Sequence, residues 1–451
     1  MKLPNAFAGW TSAQKHVVAA SYLGWTLDAF DFFLLVFVIK DVAKSFGVGK
    51  EDVAVAIMLT LAFRAVGAFV FGRLADRFGR RPILMLDVAL YSIFGFATAF
   101  APNLNVFLLI RALFGVAMGG EWGIGASLTM ESVRPESRGL VSGLLQSGYP
   151  SGYLLASVVY AVLYPEIGWR GLFMVGILPA FLIFYIRRRV PESPGWHEKV
   201  ARLSVSLRGP EAGIVALYLV TLAAWFFLRP AYGNWIYLTG ILPLVGTLLY
   251  FRRHWLVALF VVALMTGFNF FSHGTQDIYP TFLEVQHHFD AHLTGTIAVI
   301  YNIGAILGGW SFGALSQRYG RKRMIVTAAL LAIPTAWLWA YSQTAVMLAA
   351  GAFLMQFFVQ GAWGVVPAHL NELAPPDARG TFPGTIYQLG NFIASSNAVL
   401  QTGYAVGHGD NYSLALAAVA VLSAIAIAVL AALGPEARHI DMRAPVAAQG
   451  R

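Results

Sequence analysis

Two ionisable side chains stand among hydrogen-bonding ones in a segment that is otherwise apolar. The segment reads NFFSHGTQDIYPT over 269–281. On a helix, Asn269, His273 and Asp277 lie at positions i, i+4 and i+8, so they form one polar stripe about 12 Å long. Pro280 has no N–H to donate to the preceding turn, and the helix should therefore open beside the stripe.

This stripe has the composition of a site that binds a polar solute and moves a proton. A histidine titrates in the range where proton gradients operate, and a carboxylate one turn away favours the charged ring. Ser272 and Gln276 widen the stripe. A polar stripe can also serve only as hydrogen-bonding contact between helices. Two ionisable groups favour the interpretation as a site.

Other ionisable residues are also embedded in apolar stretches: Asp28, Asp31, Arg64, Asp87, Arg111 and Glu121. Such groups cost several kcal/mol unless they are paired or face water, so each is a candidate for function. Arg64 lies eight residues before Gly72, or roughly 12 Å from the helix end, which predicts a position near mid-membrane. Asp87 lies close to the start of its helix, and we interpret it as structural.

The elements that position these residues are predicted to be membrane helices. The chain has 451 residues, of which 58% are hydrophobic and 12% charged. Apolar runs long enough to cross a bilayer of ~30 Å recur along it. We predict fourteen spans, at 17–39, 52–74, 82–100, 104–127, 140–163, 170–187, 212–228, 235–251, 255–280, 292–316, 324–342, 344–369, 381–403 and 412–433. The fold class is thus all-α and multi-pass.

The chain also repeats itself at a displacement of 241 residues. The pairs are Gly72 and Gly313, Arg77 and Arg318, Gly79 and Gly320, Arg80 and Arg321, Trp122 and Trp363, Glu131 and Glu372, Arg138 and Arg379. Two membrane halves related by a parallel repeat are typical of transporters that alternate access. The short pair 212–228 and 235–251 has no counterpart in the repeat, so we interpret it as an insertion.

The net charge of +9 is a topology signal. Of 31 Lys and Arg residues, 24 fall on one side of the predicted spans, five on the other, and two within spans. This asymmetry predicts that both termini and the basic loops are cytoplasmic, without a nucleic-acid partner. The first span is too long for a cleaved signal peptide and should stay as an anchor in a plasma membrane, which we expect to be a bacterial inner membrane. With no cysteine and no metal-ligand motif, we predict no cofactor.

The loop GRLADRFGRR at 72–81 resembles the signature of the major facilitator superfamily, and GALSQRYGRK at 313–322 resembles its second copy. The resemblance implies two six-helix bundles with pseudo-two-fold symmetry. With the insertion, we expect bundles at 1–190 and 254–435, a linker with two extra helices at 191–253, and a cytoplasmic tail at 436–451.

The residue types of this loop suggest how it closes one end of the bundle. Glycines allow two helix ends to approach closely, and Asp76 can accept hydrogen bonds from the N–H groups at a helix start. Gln317 replaces it in the copy, so we expect a charged latch only in the first half. We predict a second ionic layer from two pairs, Glu131 with Arg138 and Glu372 with Arg379.

A narrower resemblance involves three helices. The pattern NxxSHxTQDxxxT at 269–281 is similar to a signature of lactate permeases in the sialate:proton symporter family. GWTLDAFDF at 24–32 and QLGN at 388–391 resemble other signatures of that family and of its lactate branch. The resemblance implies proton-coupled symport of a small monocarboxylate. A sialic acid symporter of the same family, which shares the two extra helices, is the alternative.

The expected site follows from these patterns. Arg64 should bind the substrate carboxylate, since a guanidinium matches its geometry. Hydrogen-bonding candidates are Asn269, Ser272, His273, Gln276, Gln388, Asn391 and, through the repeat, Gln146 and Tyr149. For the proton we consider His273 and Asp277 first, and Asp28 or Asp31 as the competing site. The repeat relates Asp28 and Asp31 to Asn269 and Ser272, which should all face one cavity.

Other functional classes fit less well. A membrane receptor would normally carry a signalling domain, and a membrane enzyme would need a nucleophile, metal or nucleotide motif, none of which the sequence shows. Drug-efflux cavities are mostly apolar, which the polar stripe disfavours. The expected partners are therefore a small carboxylate, protons and the lipid bilayer around a monomer.

Overall fold

The structure, a computed structural model, is all-α. It describes residues 9–197, 209–376, 378–395, 397–436, 438 and 440. The α-helices of the first half are α1 (Ser12–Phe46), α2 (Lys50–Phe78), α3 (Arg80–Thr98), α4 (Leu104–Ser132), α5 (Arg138–Gln146), α6 (Gly148–Val175), α7 (Phe181–Arg189) and α8 (Pro194–His197). Those of the insertion are α9 (Pro210–Tyr232) and α10 (Ile241–Tyr250). Those of the second half are α11 (Trp255–Gln276), α12 (Tyr279–Val285), α13 (Ala291–Tyr319), α14 (Arg321–Tyr341), α15 (Ala345–Trp363), α16 (Val366–Leu373), α17 (Phe382–Ala394), α18 (Asn397–Gly407) and α19 (Tyr412–Leu433).

The repeat is visible in the helix bounds. A shift of 241 residues carries both ends of α2 onto both ends of α13. It also carries the start of α4 onto the start of α15 and the end of α4 onto the end of α16. Both copies of the connecting loop turn on a glycine, with φ +104° at Gly79 and +101° at Gly320. The sequence repeat therefore corresponds to a structural one.

Each half forms its own bundle. In the first half α2 packs on α4, and α1 packs on α4 and α6; in the second half α13 packs on α15, and α11 packs on α17 and α19. The halves meet where α5 packs on α13 and α17 packs on α2. We call the end of the bundle that carries Gly79 and Gly320 the basic end, because Arg and Lys side chains follow both glycines.

Ten segments within the described residues are long and apolar enough to cross a membrane. One of them, Pro135–Arg189, has 55 residues, enough for two crossings. The predicted spans 140–163 and 170–187 both lie in it, separated at Gly168, where φ is +60°. The predicted span 381–403 is instead two helices, α17 and α18.

The insertion differs from its prediction. We expected two spans of about seventeen residues each, but α9 has 23 residues and α10 has ten. The eight residues between them, Gly233–Gly240, form a 3-10 helix that includes the first part of the predicted span 235–251. The hairpin is fixed to both halves: Arg73 of α2 pairs with Glu211 at 3.0 Å, and Trp225 stacks on Phe392 of α17 with ring centroids 4.3 Å apart.

Prolines interrupt the helices where the sequence indicates. The helix with the polar stripe, α11, ends at Gln276, and α12 begins at Tyr279 with Pro280 as its second residue. The first half has a similar interruption at Ser147, between α5 and α6, four residues from Gly143 and three before Pro150. The opening of the helix beside the stripe is therefore confirmed.

The basic end is closed by hydrogen bonds between the halves. The Asp76 carboxylate accepts from the backbone N–H of Gly380 at 2.9 Å and of Thr381 at 3.0 Å. Thr381 immediately precedes α17, so the carboxylate lies at a helix N-terminus, where unpaired N–H groups favour an anion. In the copy, the neutral Gln317 Oε1 accepts from the N–H of Gly139 at 3.1 Å. The same contact thus occurs twice, once charged and once neutral.

Two glycines make this closure sterically possible, as predicted. A Cβ at Gly72 would lie 2.8 Å from the Thr381 Cα atom, and one at Gly313 would lie 2.7 Å from the Gly139 carbonyl oxygen. The neighbouring Arg77 and Arg318 are exposed and stack on the rings that follow them. They therefore lie at the surface of the basic end.

The second ionic layer is paired differently from our prediction. Glu131 pairs with Arg80 at 3.4 Å, and Glu372 pairs with Arg321 at 3.0 Å, each within its own half. Arg138, the predicted partner of Glu131, instead lies 3.9 Å from Glu372 across the two halves. The reason is spatial: α5, which carries Arg138, packs on α13 and α16 of the second half as well as on α4. The buried Arg379 accepts a hydrogen bond from Ser127 at its carbonyl oxygen, 2.7 Å away.

We predict that Gly79→Ala lowers the stability of the folded bundle by about 1–3 kcal/mol, because a side chain is strained at this backbone conformation. An added Cβ would also lie 2.4 Å from the Glu192 Oε2 atom. Thermal unfolding of the purified protein in detergent measures the effect. Gly213→Ala is the matched control, since no atom lies within 4 Å of its added Cβ. Equal unfolding temperatures for the two variants would contradict the prediction.

We predict that Asp76→Asn opens the basic end. Loss of the charge at the α17 N-terminus removes about 1–2 kcal/mol, which changes the ratio of closed to open molecules about fivefold to thirtyfold. The chain has no cysteine, so spin labels on Phe78→Cys and Tyr319→Cys report the distance between the ends of α2 and α13. Gln317→Ala removes a neutral acceptor and should shift the distances less. A larger shift in Gln317→Ala than in Asp76→Asn would refute the charged latch.

Candidate substrate-binding site

A small cavity lies where the two halves meet. Its volume is about 20 Å³, enough for about one water molecule. The residues that line it come from both halves: Arg64, Gln146, Tyr149, Asn269, Ser272, His273, Gln360, Trp363, Tyr387 and Asn391. Seven of these ten were predicted as substrate-binding residues. A solute much larger than water therefore requires the residues that line this cavity to move apart.

The first half contributes the positive charge of the cavity. Arg64 is 1% exposed and lies on α2, with its Nη2 atom 3.4 Å from the Asp28 carboxylate on α1. Its guanidinium carbon lies 5.5 Å from the centre of the Trp25 ring. The Nε group forms no hydrogen bond with any described residue. Arg64 therefore has a counter-ion and still has a free donor for a second anion.

The second half contributes the polar stripe. Asn269, Ser272 and His273 line the cavity from α11. The His273 Nδ1 atom lies 3.1 Å from the Asp277 carboxylate, and the side chain of Asp277 is 41% exposed. Asp277 lies one turn farther from the basic end, so the pair extends from the cavity toward the opposite end of the bundle.

Amide and hydroxyl groups surround the stripe. Gln360 of α15 donates to the Ser272 hydroxyl at 3.3 Å, and Ser272 donates to Gln276 at 3.2 Å. Asn391 of α17 donates to Gln388 at 3.2 Å. Gln276 and Gln388 are thus hydrogen-bonded to two residues that line the cavity but are not among its lining residues. Their contact with substrate stays a prediction.

Three residues of the cavity wall were missed by the sequence analysis: Gln360, Trp363 and Tyr387. The Tyr387 ring lies 4.6 Å from that of Trp122 and 5.4 Å from that of Trp363, by centroids. The repeat relates Trp122 to Trp363 and Gln146 to Tyr387. A stricter use of the repeat would have found Trp363 and Tyr387, because their partners were already noted. Gln360 corresponds to a glycine and gave no such signal.

The two acidic residues of α1 do not line the cavity as expected. Asp28 contacts Arg64 at 3.4 Å, and Asp31 lies near Gly95 and Gly176 of the first half. An added Cβ at Gly176 would lie 3.0 Å from the Asp31 Oδ1 atom, and one at Gly95 3.5 Å from Oδ2. Asn269 and Ser272, their repeat partners, line the cavity. The first helix of each half, α1 and α11, is therefore rotated differently about its own axis, so that these equivalent positions face different surroundings.

The arrangement can bind an anion, and it can bind or release a proton next to that anion. A guanidinium, two carboxamides and a hydroxyl can hold a small carboxylate with an adjacent oxygen. An imidazole on the same cavity wall connects to an exposed carboxylate, which is a path for a proton. Among the described residues there is no group of three metal-ligating side chains.

Comparison with known proteins identifies relatives whose names mention organic acids. The chain is 29% identical over 402 residues to the "Carboxylic acid transporter protein homolog" of Saccharomyces cerevisiae, a match that covers 87% of this chain and 61% of that protein. It is 26% identical to the "Putative niacin/nicotinamide transporter NiaP" of Bacillus subtilis, covering 95% and 98% of the two chains. It is 25% identical to the "Sialic acid transporter NanX" of Escherichia coli, covering 90% and 91%.

The fold agrees with these relatives. The proton:xylose symporter XylE, in a structure with 6-bromo-6-deoxy-D-glucose, matches with a TM-score of 0.68 at 18% identity, over 94% of this chain and 96% of XylE. Residues 255–439 match the family model "Sugar (and other) transporter". Residues 22–277, more than half of the chain, match the model of the Major Facilitator Superfamily. This multi-pass membrane protein therefore belongs to the Major Facilitator Superfamily of transporters.

Proposed function

We propose that the protein is a proton-coupled symporter of a small monocarboxylate such as lactate or pyruvate. The observation that carries the proposal is the position of Arg64 in the cavity wall, opposite Asn269, Ser272 and Asn391. The carboxylate binds the guanidinium, and the 2-hydroxyl or 2-keto oxygen binds the amides. The names of three relatives, which refer to a carboxylic acid, niacin and sialic acid, support an acid as substrate.

Proton coupling is assigned to His273 and Asp277. Their contact at 3.1 Å and the exposure of Asp277 support a path from the end opposite the basic end into the cavity. An anion that enters with a proton adds no net charge to a desolvated site, which avoids a cost of several kcal/mol. Asp28 is the counter-ion of Arg64 until the substrate carboxylate replaces it.

The orientation in the membrane belongs to the same proposal. The basic end faces the cytoplasm, because basic loops are retained on that side. The organisation into bundles at 1–190 and 254–435, joined by a linker with an inserted hairpin, gives one transport pathway per monomer. Movement of one bundle against the other exposes the cavity to each side in turn.

A sialic acid symporter is the second candidate, because the E. coli relative is named for sialic acid and aligns with 90% of this chain. Sialic acid also carries a carboxylate for Arg64, but it is several times larger than lactate. Uptake of labelled lactate into proteoliposomes under an inward proton gradient separates the two. Accumulation that collapses with a protonophore supports the monocarboxylate proposal. Absence of lactate uptake, with uptake of sialic acid, would replace it.

We predict that Arg64→Lys weakens lactate binding about 10- to 100-fold. Lysine keeps the charge but loses the planar pair of donors, and a hydrogen bond to a charged group contributes about 1.5–3 kcal/mol. The apparent affinity in equilibrium exchange between proteoliposomes and medium measures the loss. Arg253→Lys, at an exposed position, is the control. Unchanged affinity in Arg64→Lys would exclude Arg64 as the carboxylate site.

We predict that Asp277→Asn separates exchange from accumulation. Exchange of labelled for unlabelled lactate should continue, because the cavity residues are unchanged. Accumulation under a proton gradient should fall at least tenfold, because the path that delivers the proton to His273 is lost. Comparing the two assays on the same vesicles gives the result directly. Full accumulation in Asp277→Asn would remove this pair from the coupling.

A further inference from the structure

The first half contains a second set of embedded charges, which shares Arg64 with the cavity but whose carboxyl groups are not among the residues that line it. The carboxyl groups are those of Asp28, Asp31, Asp87 and Glu121, and the guanidinium groups are those of Arg64 and Arg111. Each of these six residues is at most 2% exposed. We call Asp28, Asp87 and Glu121 the acidic cluster; they lie on α1, α3 and α4.

These side chains approach each other inside the bundle. A Cβ at Gly24 of α1 would lie 2.3 Å from the Glu121 Oε1 atom, and one at Gly120 would lie 2.6 Å from the Asp87 Oδ1 atom. Electrostatic interactions connect Glu121 with Asp28 and Arg64, and Asp87 with all three. Other ionisable groups that interact electrostatically with the cluster or with its Asp28 are Asp31, Arg111, Tyr91, Tyr149 and Tyr387.

The carboxyl groups are not satisfied by the protein. Both Glu121 oxygens and the Asp28 Oδ1 atom form no hydrogen bond with any described residue. A buried ionised carboxylate without partners is costly, and it becomes neutral instead. Four carboxyl groups beside two guanidinium groups give a net charge of −2 when all are ionised. Such a set is held in the membrane only if protons neutralise part of it.

The repeat shows that the fold does not require these groups. A shift of 241 residues carries the embedded residues of α2, α3 and α4 onto alanines of the second half: Arg64 onto Ala305, Asp87 onto Ala328, Tyr91 onto Ala332, Arg111 onto Ala352 and Glu121 onto Ala362. All five alanines are buried. The second half builds the same helix bundle with methyl groups at these positions, so packing does not explain the charges in the first.

We propose that the acidic cluster is a proton-binding site that is linked to substrate through Arg64, with Glu121 as the residue that holds the proton. The inference rests on the proposed function, since it takes the substrate to be an anion. At rest Arg64 balances Asp28 at 3.4 Å. When a substrate carboxylate draws the guanidinium into the cavity, the cluster loses part of this positive charge. A proton from the medium then binds a Glu121 oxygen and restores neutrality.

The site differs in its role from His273 and Asp277. That pair lies at the cavity and is partly exposed, so it can deliver a proton. The cluster is buried, so it can retain one while the halves move. Substrate and proton then occupy two separate places that share Arg64, which links their binding free energies.

Proton uptake on substrate binding tests the proposal. Addition of lactate to purified protein in a weakly buffered, dye-containing solution should raise the pH, with about one proton bound per lactate. In Glu121→Gln, which keeps the size of the side chain and resembles its protonated form, uptake should fall to near zero while lactate still binds. Asp277→Asn should retain the uptake. Asp290→Asn is the control, because this acid is exposed and asparagine can still cap α13.

Infrared absorption provides a second measurement, whose first part needs no substrate. Without lactate, the carbonyl stretch of buried protonated carboxyl groups should be present at neutral pH and smaller in Asp87→Asn, because protons already neutralise part of the resting set. Addition of lactate should raise the band in the wild type and in Asp290→Asn but not in Glu121→Gln, which lacks the oxygen that binds the proton. An unchanged resting band in Asp87→Asn, or a lactate-induced band or proton uptake that persists in Glu121→Gln, would overturn the cluster. A wild type that shows the band but neither binds nor transports lactate would overturn the proposed substrate and leave the proton site supported.

Discussion

The contact between Arg64 and Asp28 is the interaction on which the rest of the site depends. A guanidinium in the middle of a membrane protein is tolerated only with a counter-charge, and here the counter-charge lies 3.4 Å away on the neighbouring helix. The pair keeps a cation in the cavity wall without a substrate. Its loose geometry leaves the Nε donor unused, so an arriving anion competes with Asp28 for a group that is already in position.

The closure of the basic end depends on electrostatics in the same way, through contacts that are buried between the halves. A helix N-terminus offers unpaired N–H groups and a partial positive charge. Asp76 binds the start of α17, while Gln317 binds the equivalent N–H of Gly139 with no charge. The two contacts lie on the same interface but differ in strength. A neutral hydrogen bond costs less free energy to break than a charged one. The Gln317 contact therefore opposes separation of the halves less than the Asp76 contact does.

Much of the fold could be predicted from the sequence because it depends on periodic and repeated features. The displacement of 241 residues predicted matched helix ends, and Pro280 predicted the end of α11. The partners of charged residues could not be predicted in the same way. Arg138 pairs with Glu372 instead of Glu131, because sequence spacing does not report distances between separate bundles. Asp31 turned away from the cavity for a related reason: a small rotation of a helix about its axis changes which face is presented.

The internal symmetry also explains why one half is charged and the other is not. Two identical halves would place two guanidinium groups at one cavity, and their mutual repulsion would add to the cost of burial. Here the first half holds the charges, and the second half offers amides, a hydroxyl and one imidazole. An anion can therefore bind between a fixed positive charge and neutral donors. In the proposed transport cycle, release of the anion would break one strong interaction with the first half and several weak ones with the second.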